Sequence, residues 1–207
     1  MPDEVRIVGT RTFAGEVADF ARDTGLNVAA LLEPFDPERV GTRIHGLPVE
    51  PINQRPRKAD AVIIGTGEPN RREIVARVER ASWRPVSLIH PRAHLAPSAT
   101  VGTGAVLAPG VVVGAYSRVG EHTVLGRGAL VGHHTEIGPF ATLGPGANVA
   151  GNVRIEPDAF LGMAAVIRDH LTVGAGAVVG MGAVVLSNVA TGSEVRGVPA
   201  RPHRTTT

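Results

Sequence analysis

From residue 95 onward an aliphatic residue returns at every sixth position. Leu95, Val101, Leu107, Val113, Val119, Leu125, Val131, Ile137, Leu143, Val149, Ile155, Leu161, Ile167, Val173, Val179 and Val185 follow without a slip. The next residue is usually Gly or Ala. The fifth position of the hexad is mostly small, as at Ala99, Ala105, Ser117, Thr123, Ala129, Thr135 and Ala141. Neither an α-helix nor an amphipathic strand has period six. A coil of three short strands joined by tight turns does, which predicts a parallel β-helix. The branched aliphatic points inward, the small residue fits the narrow interior beside each corner, and glycine tolerates the turn geometry. Composition agrees: 43% of residues are hydrophobic, only 3% are aromatic and 26 are Gly, so the core is thin and aliphatic.

Residues 1–90 follow other periods. "VRIVG" (5–9) reads as a strand, "FAGEVADFARDTG" (13–25) as a helix with a glycine stop, and "NVAALLE" (27–33) as a second strand. "ADAVIIGTG" (59–67) is a buried-type strand, "NRREIVARVERA" (70–81) a helix and "PVSLIHP" (85–91) a last strand. Strands alternating with helices predict a small Rossmann-like parallel α/β sheet. The domain plan is therefore 1–88 α/β, 89–190 β-helix and 191–207 a C-terminal tail whose polar end, "RPHRTTT", is expected to be disordered. The loop "GTRTFAG" (9–15) lies where dinucleotide-binding folds carry a glycine-rich turn, and Glu33 lies where an acid meets a ribose. The loop lacks a full GxGxxG pattern, and a plain strand-to-helix turn reads it equally well.

Several function classes fall away. The net charge is only +2 and the basic residues are dispersed, so nucleic acid is not an expected partner. With no Cys there are no disulfides, thiolate metal sites or cysteine nucleophile. The opening "MPDEVRIVGT" has no signal-peptide character and there is no 18-residue apolar run, so a cytoplasmic protein without membrane contact is expected.

Three hexads make an 18-residue coil, so vertical neighbours can be read from the sequence. His133 falls between Ala115 and Gly151, the two smallest side chains, where an imidazole has open space for a ligand. His134 falls between Tyr116 and Asn152, either of which could hold it by a hydrogen bond. On another corner Pro145, Met163 and Met181 stack, although turns favour Gly, Asn and Asp. That column reads as an apolar wall for a ligand or as a subunit contact. The three flat faces are expected to be small and apolar. His122 and His170 read as surface turn residues, and His90 and His94 as capping or bridging groups at the domain junction.

"VGTRTFAGEVADFAR", "GTRIHGLPV", "VIIGTGEPNRRE", "SLIHPRAHLAPSATVG", "VGHHTEIGPFATLGPGANVAGNVRI" and "VRGVPAR" carry a family resemblance over nearly the whole chain. It resembles the sialic acid O-acetyltransferase-type family of hexapeptide-repeat acyltransferases, which includes the UDP-4-amino-sugar N-acetyltransferases of the UDP-N-acetylbacillosamine pathway. The resemblance implies a left-handed β-helix, acetyl-CoA as co-substrate, no metal, a sugar or nucleotide-sugar acceptor, and a homotrimer with sites between subunits. It implies that His133 is the general base. His134 stands where that family usually has an acid, Thr142 where it has a second histidine at the acetyl donor, and Gly126 where it has an Asn. Donor contacts are implied at Thr142, Gly151, Met163 and Met181, and acceptor contacts at Phe13, Ala14, Gly15, Glu33, Pro34 and Gly65.

The implied chemistry is transfer of acetyl from a thioester to an amine, with no covalent enzyme intermediate, and a histidine can remove the proton. Glu121 and Glu136 are candidates for the missing acid. Alternatives remain at this stage. One is O-acetylation of sialic acid or another sugar, or transfer to another small amine. Another is a binding protein that has lost the reaction. A third is a γ-type carbonic anhydrase, for which the chain has no HxxxxH pair.

Overall fold

The computed structural model describes residues 4–54, 56, 60–67 and 71–203. The chain divides into two compact units at His90/Pro91.

In the first unit a parallel sheet is built on β1 (Glu4–Val8), flanked by β2 (Asn27–Glu33) and β5 (Ala61–Ile64). β4 (Leu47–Pro51) pairs in parallel outside β2, and β6 (Arg84–Pro85) outside β5. Helices α1 (Thr12–Asp23) and α2 (Arg71–Arg80) complete the alternation read from the sequence. Predicted residues Ala59 and Asn70 lie outside the described residues. Between β2 and β4 the chain forms a hairpin that the sequence pattern does not announce, in which β3 (Arg43–Ile44) turns antiparallel into β4. His45 and Gly46 make the turn at φ 50° and 74°, the pair of positive angles a two-residue primed turn demands.

The second unit is a left-handed parallel β-helix. Its strands are two residues long, save the three-residue Glu194–Arg196, and stack into three sheets. Face I stacks six strands from His94–Leu95 to Val184–Val185, and face II five from Thr100–Val101 to Thr172–Val173. Face III runs from Val106–Leu107 to Val178–Val179 and is extended by Glu194–Arg196, against which Arg201–Pro202 pairs antiparallel. Val112 pairs with Leu130 and Leu130 with Asn148, eighteen residues apart each time. All of the sixteen periodic aliphatics but Leu95 and Val101, both in the first coil, are buried. Burying each contributes roughly 1.5–3 kcal/mol. Residues 204–207, the end of the tail, lie outside the described residues.

The glycines that follow the periodic aliphatics have a different cause from turn geometry, which accounts instead for those at the fourth position, such as Gly128 at φ 66°. The fourth position of the hexad, not the second, takes positive φ, without exception from Gly104 to Gly182. Tyr116, His122, His134, Phe140, Asn152, Asp158, Ala164 and His170 all have φ between 54° and 62°. The glycine at the second position is required by stacking. A Cβ on Gly132 would lie 2.5 Å from the carbonyl carbon of Ala150 and 2.5 Å from the amide nitrogen of Gly151.

The three faces are not alike, which corrects the expectation of three small, apolar ones. Face I presents Val112, Leu130 and Val166, each 37–40% exposed, and Leu186 just beyond it is exposed too. Face II carries a charge ladder, with Glu136 held 3.4 Å from Arg118 and 3.0 Å from Arg154. The outward residues Val106, Val124 and Thr142 of face III are buried within the chain. Among the described residues no helix is long and apolar enough to cross a membrane.

Candidate active site

The corner between faces I and II carries the two adjacent histidines on the turn 132–135. Buried hydroxyls hold this turn. Ser117 Oγ, one coil below, donates to the Gly132 carbonyl at 2.7 Å and accepts from the Thr135 amide at 3.0 Å. Thr135 Oγ1 repeats the stitch one coil up, donating to Ala150 O at 3.0 Å and accepting from the Val153 amide at 3.3 Å. Both side chains are fully buried. They therefore bracket the histidine turn and the Gly151–Asn152 turn above it. In the sequence they looked like two more small residues. The signal was the hydroxyl: most other fifth positions are Ala or Val, which cannot bridge a turn.

Both histidines are exposed. Their Nδ1 atoms lie 3.1 Å apart, with ring planes at 85° and centroids 5.2 Å apart. His134 sits on the ring of Tyr116, centroids 5.0 Å apart at 35°. The expected hydrogen bond from Tyr116 or Asn152 is replaced by this ring contact, and the polar partner of the His134 ring is His133. The open space expected beside His133 is also occupied. A Cβ on Gly151 would lie 2.7 Å from Cε1 and 2.8 Å from Nε2 of His133, so the imidazole fills the volume that glycine leaves free.

The contact between the histidines has a chemical consequence. One Nδ1 must donate and the other accept. When His133 Nδ1–H donates to His134, the lone pair of His133 is left on Nε2, free to take a proton. A partner on one ring nitrogen selects the tautomer at the other. A neutral His134 can thus perform the orienting part of an acid's work, but it brings no negative charge. Neither candidate acid supplies one within the chain: Glu136 is engaged by the two arginines of face II, and Glu121 lies on the corner between faces II and III.

Of the implied donor residues, only Gly151 shares the histidine corner. Met163 and Met181 stand exposed on the corner between faces III and I, and Thr142 on face III is buried. Face I separates the two corners. His122, read as a surface turn residue, is buried, stacked on Phe140 with centroids 5.0 Å apart. His90 is likewise buried, its Nε2 3.0 Å from Asp23. Among the described residues no group of three His, Cys, Asp or Glu is placed to hold a metal ion.

The first unit contains a cleft of about 220 Å³ where β1, β2 and β5 end. Ligands of open α/β sheets bind outside the carboxyl ends of the strands, where the strand order reverses. Phe13, Glu33, Pro34 and Gly65 line it, together with Arg11, Arg39 and Thr66. Ala14 and Gly15 do not. Ala14 is buried, and Gly15 makes room for the His45 ring, which a Cβ would meet at 2.8 Å. The first turn of α1 has no acidic residue and no side-chain cap, so the positive end of the helix is available to an anion. Glu33 is largely committed to the loop around it. It accepts from the Phe35 and Asp36 amides at 2.8 and 2.9 Å and from the hydroxyl of Thr10.

Neither a family model nor a curated protein matches the chain. Solved structures do. A variant of the GDP-perosamine N-acetyl transferase of Caulobacter crescentus, in complex with CoA and GDP-perosamine, matches with a TM-score of 0.90 and 29% identity, over 98% of this chain and 97% of that one. The chain has the fold of the hexapeptide-repeat sugar N-acetyltransferases. The acetyltransferase domain of PglB from Neisseria gonorrhoeae, in complex with acetyl coenzyme A, matches with a TM-score of 0.88 and 28% identity, over 98% of this chain and all (100%) of that domain. WeeI from Acinetobacter baumannii shares the fold at 24% identity and a TM-score of 0.71, over 97% of this chain and 100% of that one. The match to the Caulobacter and Neisseria structures spans both units, the cleft-bearing sheet as well as the β-helix.

Proposed function

We propose that the protein is an acetyl-CoA-dependent N-acetyltransferase acting on the amino group of a nucleotide-linked amino-sugar. The observation that carries this reading is the pairing, in one chain, of a strand-end cleft suited to a nucleotide with a β-helix corner that presents His133. The Caulobacter enzyme supports it by binding CoA and GDP-perosamine, and two of its complexes are of variants that replace a single histidine, by alanine and by asparagine. The nucleotide is bound in the cleft through Phe13, Glu33, Pro34, Gly65 and the open end of α1. The acceptor nitrogen attacks the thioester carbonyl carbon, the C–N bond forms and the C–S bond breaks. His133 Nε2 takes the proton that the nitrogen loses and passes it to the departing thiolate, so no acyl-enzyme forms. A cytoplasmic setting fits a chain with no Cys for extracellular disulfides. The test is to incubate the purified chain with acetyl-CoA and GDP-, UDP- or dTDP-linked 4-amino-sugars. The expected result is one free CoA thiol released per acetamide formed. Release with a sugar hydroxyl and none of the amines would make it an O-acetyltransferase, and release with no acceptor would end the reading.

The donor site is proposed to lie between subunits of a homotrimer, with Met163 and Met181 along the pantetheine arm. The support is the exposed aliphatic row Val112, Leu130 and Val166 of face I, interrupted by Asn148 and bordered by the histidine corner on one side and the methionine corner on the other. A face of this kind is buried in most soluble proteins. Light scattering is expected to give three times the chain mass. Leu130→Arg, which puts a charge in the middle of face I, is expected to give monomers and lose acetyl transfer. A wild-type monomer at micromolar concentration would exclude the shared site.

A further inference from the structure

We propose that Tyr116 is a positioning residue for the base, acting through His134, an inference that rests on His133 being the base. It is the only tyrosine among 207 residues, and it stands directly below His134 in the coil stack. Its side chain is not there for the core, since it is 64% exposed. Its backbone takes the positive φ of the fourth hexad position, 59°, which fixes the direction in which the ring leaves the coil. Ser98 Oγ on the coil below accepts from the Tyr116 amide at 2.9 Å and holds the turn that carries the ring. The ring then supports His134 at 5.0 Å, and His134 meets His133 at 3.1 Å.

His134 needs such support. Among the described residues its ring has one polar partner, the Nδ1 of His133. One hydrogen bond leaves the imidazole free to rotate about the axis of that bond and about its own side-chain torsions. Rotation would take the acceptor nitrogen away and leave His133 free to adopt the tautomer with Nε2 protonated, which cannot act as a base. Stacking on a flat ring removes that freedom, as offset and tilted aromatic pairs do. A carboxylate at 134 would not depend on it, because it accepts with either oxygen and gains nothing from a ring face. Tyr116 and His134 are therefore one device, in which an aromatic floor lets an imidazole do the orienting work of an acid.

Acetyl-transfer kinetics on the full-length chain test this. Tyr116→Ala is expected to lower kcat about tenfold, with the KM for acetyl-CoA unchanged, while Tyr116→Phe, which keeps the ring, stays within about twofold of the parent. In the His134→Glu background, Tyr116→Ala is expected to cost less than about twofold, so the two positions are coupled in a double-mutant cycle. The proposal is overturned if Tyr116→Ala leaves kcat intact, if its penalty is the same in the His134→Glu background, or if Tyr116→Phe is as damaging as Tyr116→Ala. NMR of the imidazole Cε1–H signals separates this from failure of the base assignment. Tyr116→Ala is expected to remove the ring-current displacement of the His134 signal and to shift that of His133, and Tyr116→Phe to preserve both. If the parent transfers no acetyl group, the base reading fails, and unchanged His133 and His134 signals in Tyr116→Ala would then overturn the positioning role as well.

Discussion

His133→Ala is expected to lower kcat for acetyl transfer by about 10²–10⁴-fold, the usual worth of a general base, while the Kd for acetyl-CoA stays near that of the parent. The base acts on the acceptor's proton and makes no ground-state bond to the donor, so loss should fall on kcat. His134→Ala is expected to cost about tenfold, or about 1.4 kcal/mol of barrier, because it removes the group that fixes the tautomer but leaves the base in place. His134→Glu is expected to match or exceed the parent. A carboxylate accepts the same Nδ1–H and in addition stabilises the imidazolium formed as the proton is taken. Steady-state kinetics with single substitutions and calorimetric titration with acetyl-CoA check all three. If His134→Ala were the dead variant and His133→Ala retained turnover, the roles would be reversed. If both stayed active, neither imidazole would be the base.

Much of this arrangement is legible in the sequence because the coil has a fixed length. Once every eighteenth residue is a vertical neighbour, Ala115, His133 and Gly151 form a column without coordinates, and Tyr116 is known to lie under His134. What the repeat cannot supply is direction. His134 meets a ring and Nδ1 of His133, where stacking alone suggested a hydrogen bond to Tyr116 or Asn152. Nor does a repeat distinguish its faces. Leu130, Glu136 and Thr142 occupy the same position of successive hexads, yet they lie on an exposed apolar face, in a charge ladder and in a buried layer. The first unit was legible in its strand and helix alternation, and four of the six residues that the resemblance implies for the acceptor line one cleft. Ala14 and Gly15 do not line that cleft: Ala14 packs against Gly65, and Gly15, with no side chain, leaves room for the His45 ring. The hairpin at 43–51 escaped because its turn, His-Gly, is not among the usual Asn-Gly or Asp-Gly signals.

Two glycine-to-alanine substitutions on adjoining coils are expected to fail in opposite ways. At Gly132 an added Cβ meets backbone, 2.5 Å from Ala150 C and Gly151 N. Backbone in a stacked coil cannot step aside without lengthening the hydrogen bonds on both sides of the corner, such as Gly132 N to Val149 O at 2.8 Å. Gly132→Ala should therefore lower the stability of the β-helix by about 1–3 kcal/mol, the usual cost of overpacking, and the loss is read as a lower Tm. At Gly151 the added Cβ meets a side chain, the His133 ring, at 2.7 Å. Gly151 does not have the positive φ that would oppose alanine, and an exposed imidazole can swing outward. Gly151→Ala should therefore leave the Tm within a few degrees of the parent, in keeping with a cost below about 0.5 kcal/mol. It should nonetheless lower kcat by about 10²-fold, since a displacement of about 1 Å at a reacting group has that effect. Acetyl-CoA affinity decides what Gly151 is for. If Kd is unchanged while kcat falls, the glycine makes room for the base. If Kd rises in step with the loss of kcat/KM, Gly151 is instead a contact of the donor, and the place of His133 beneath it is incidental.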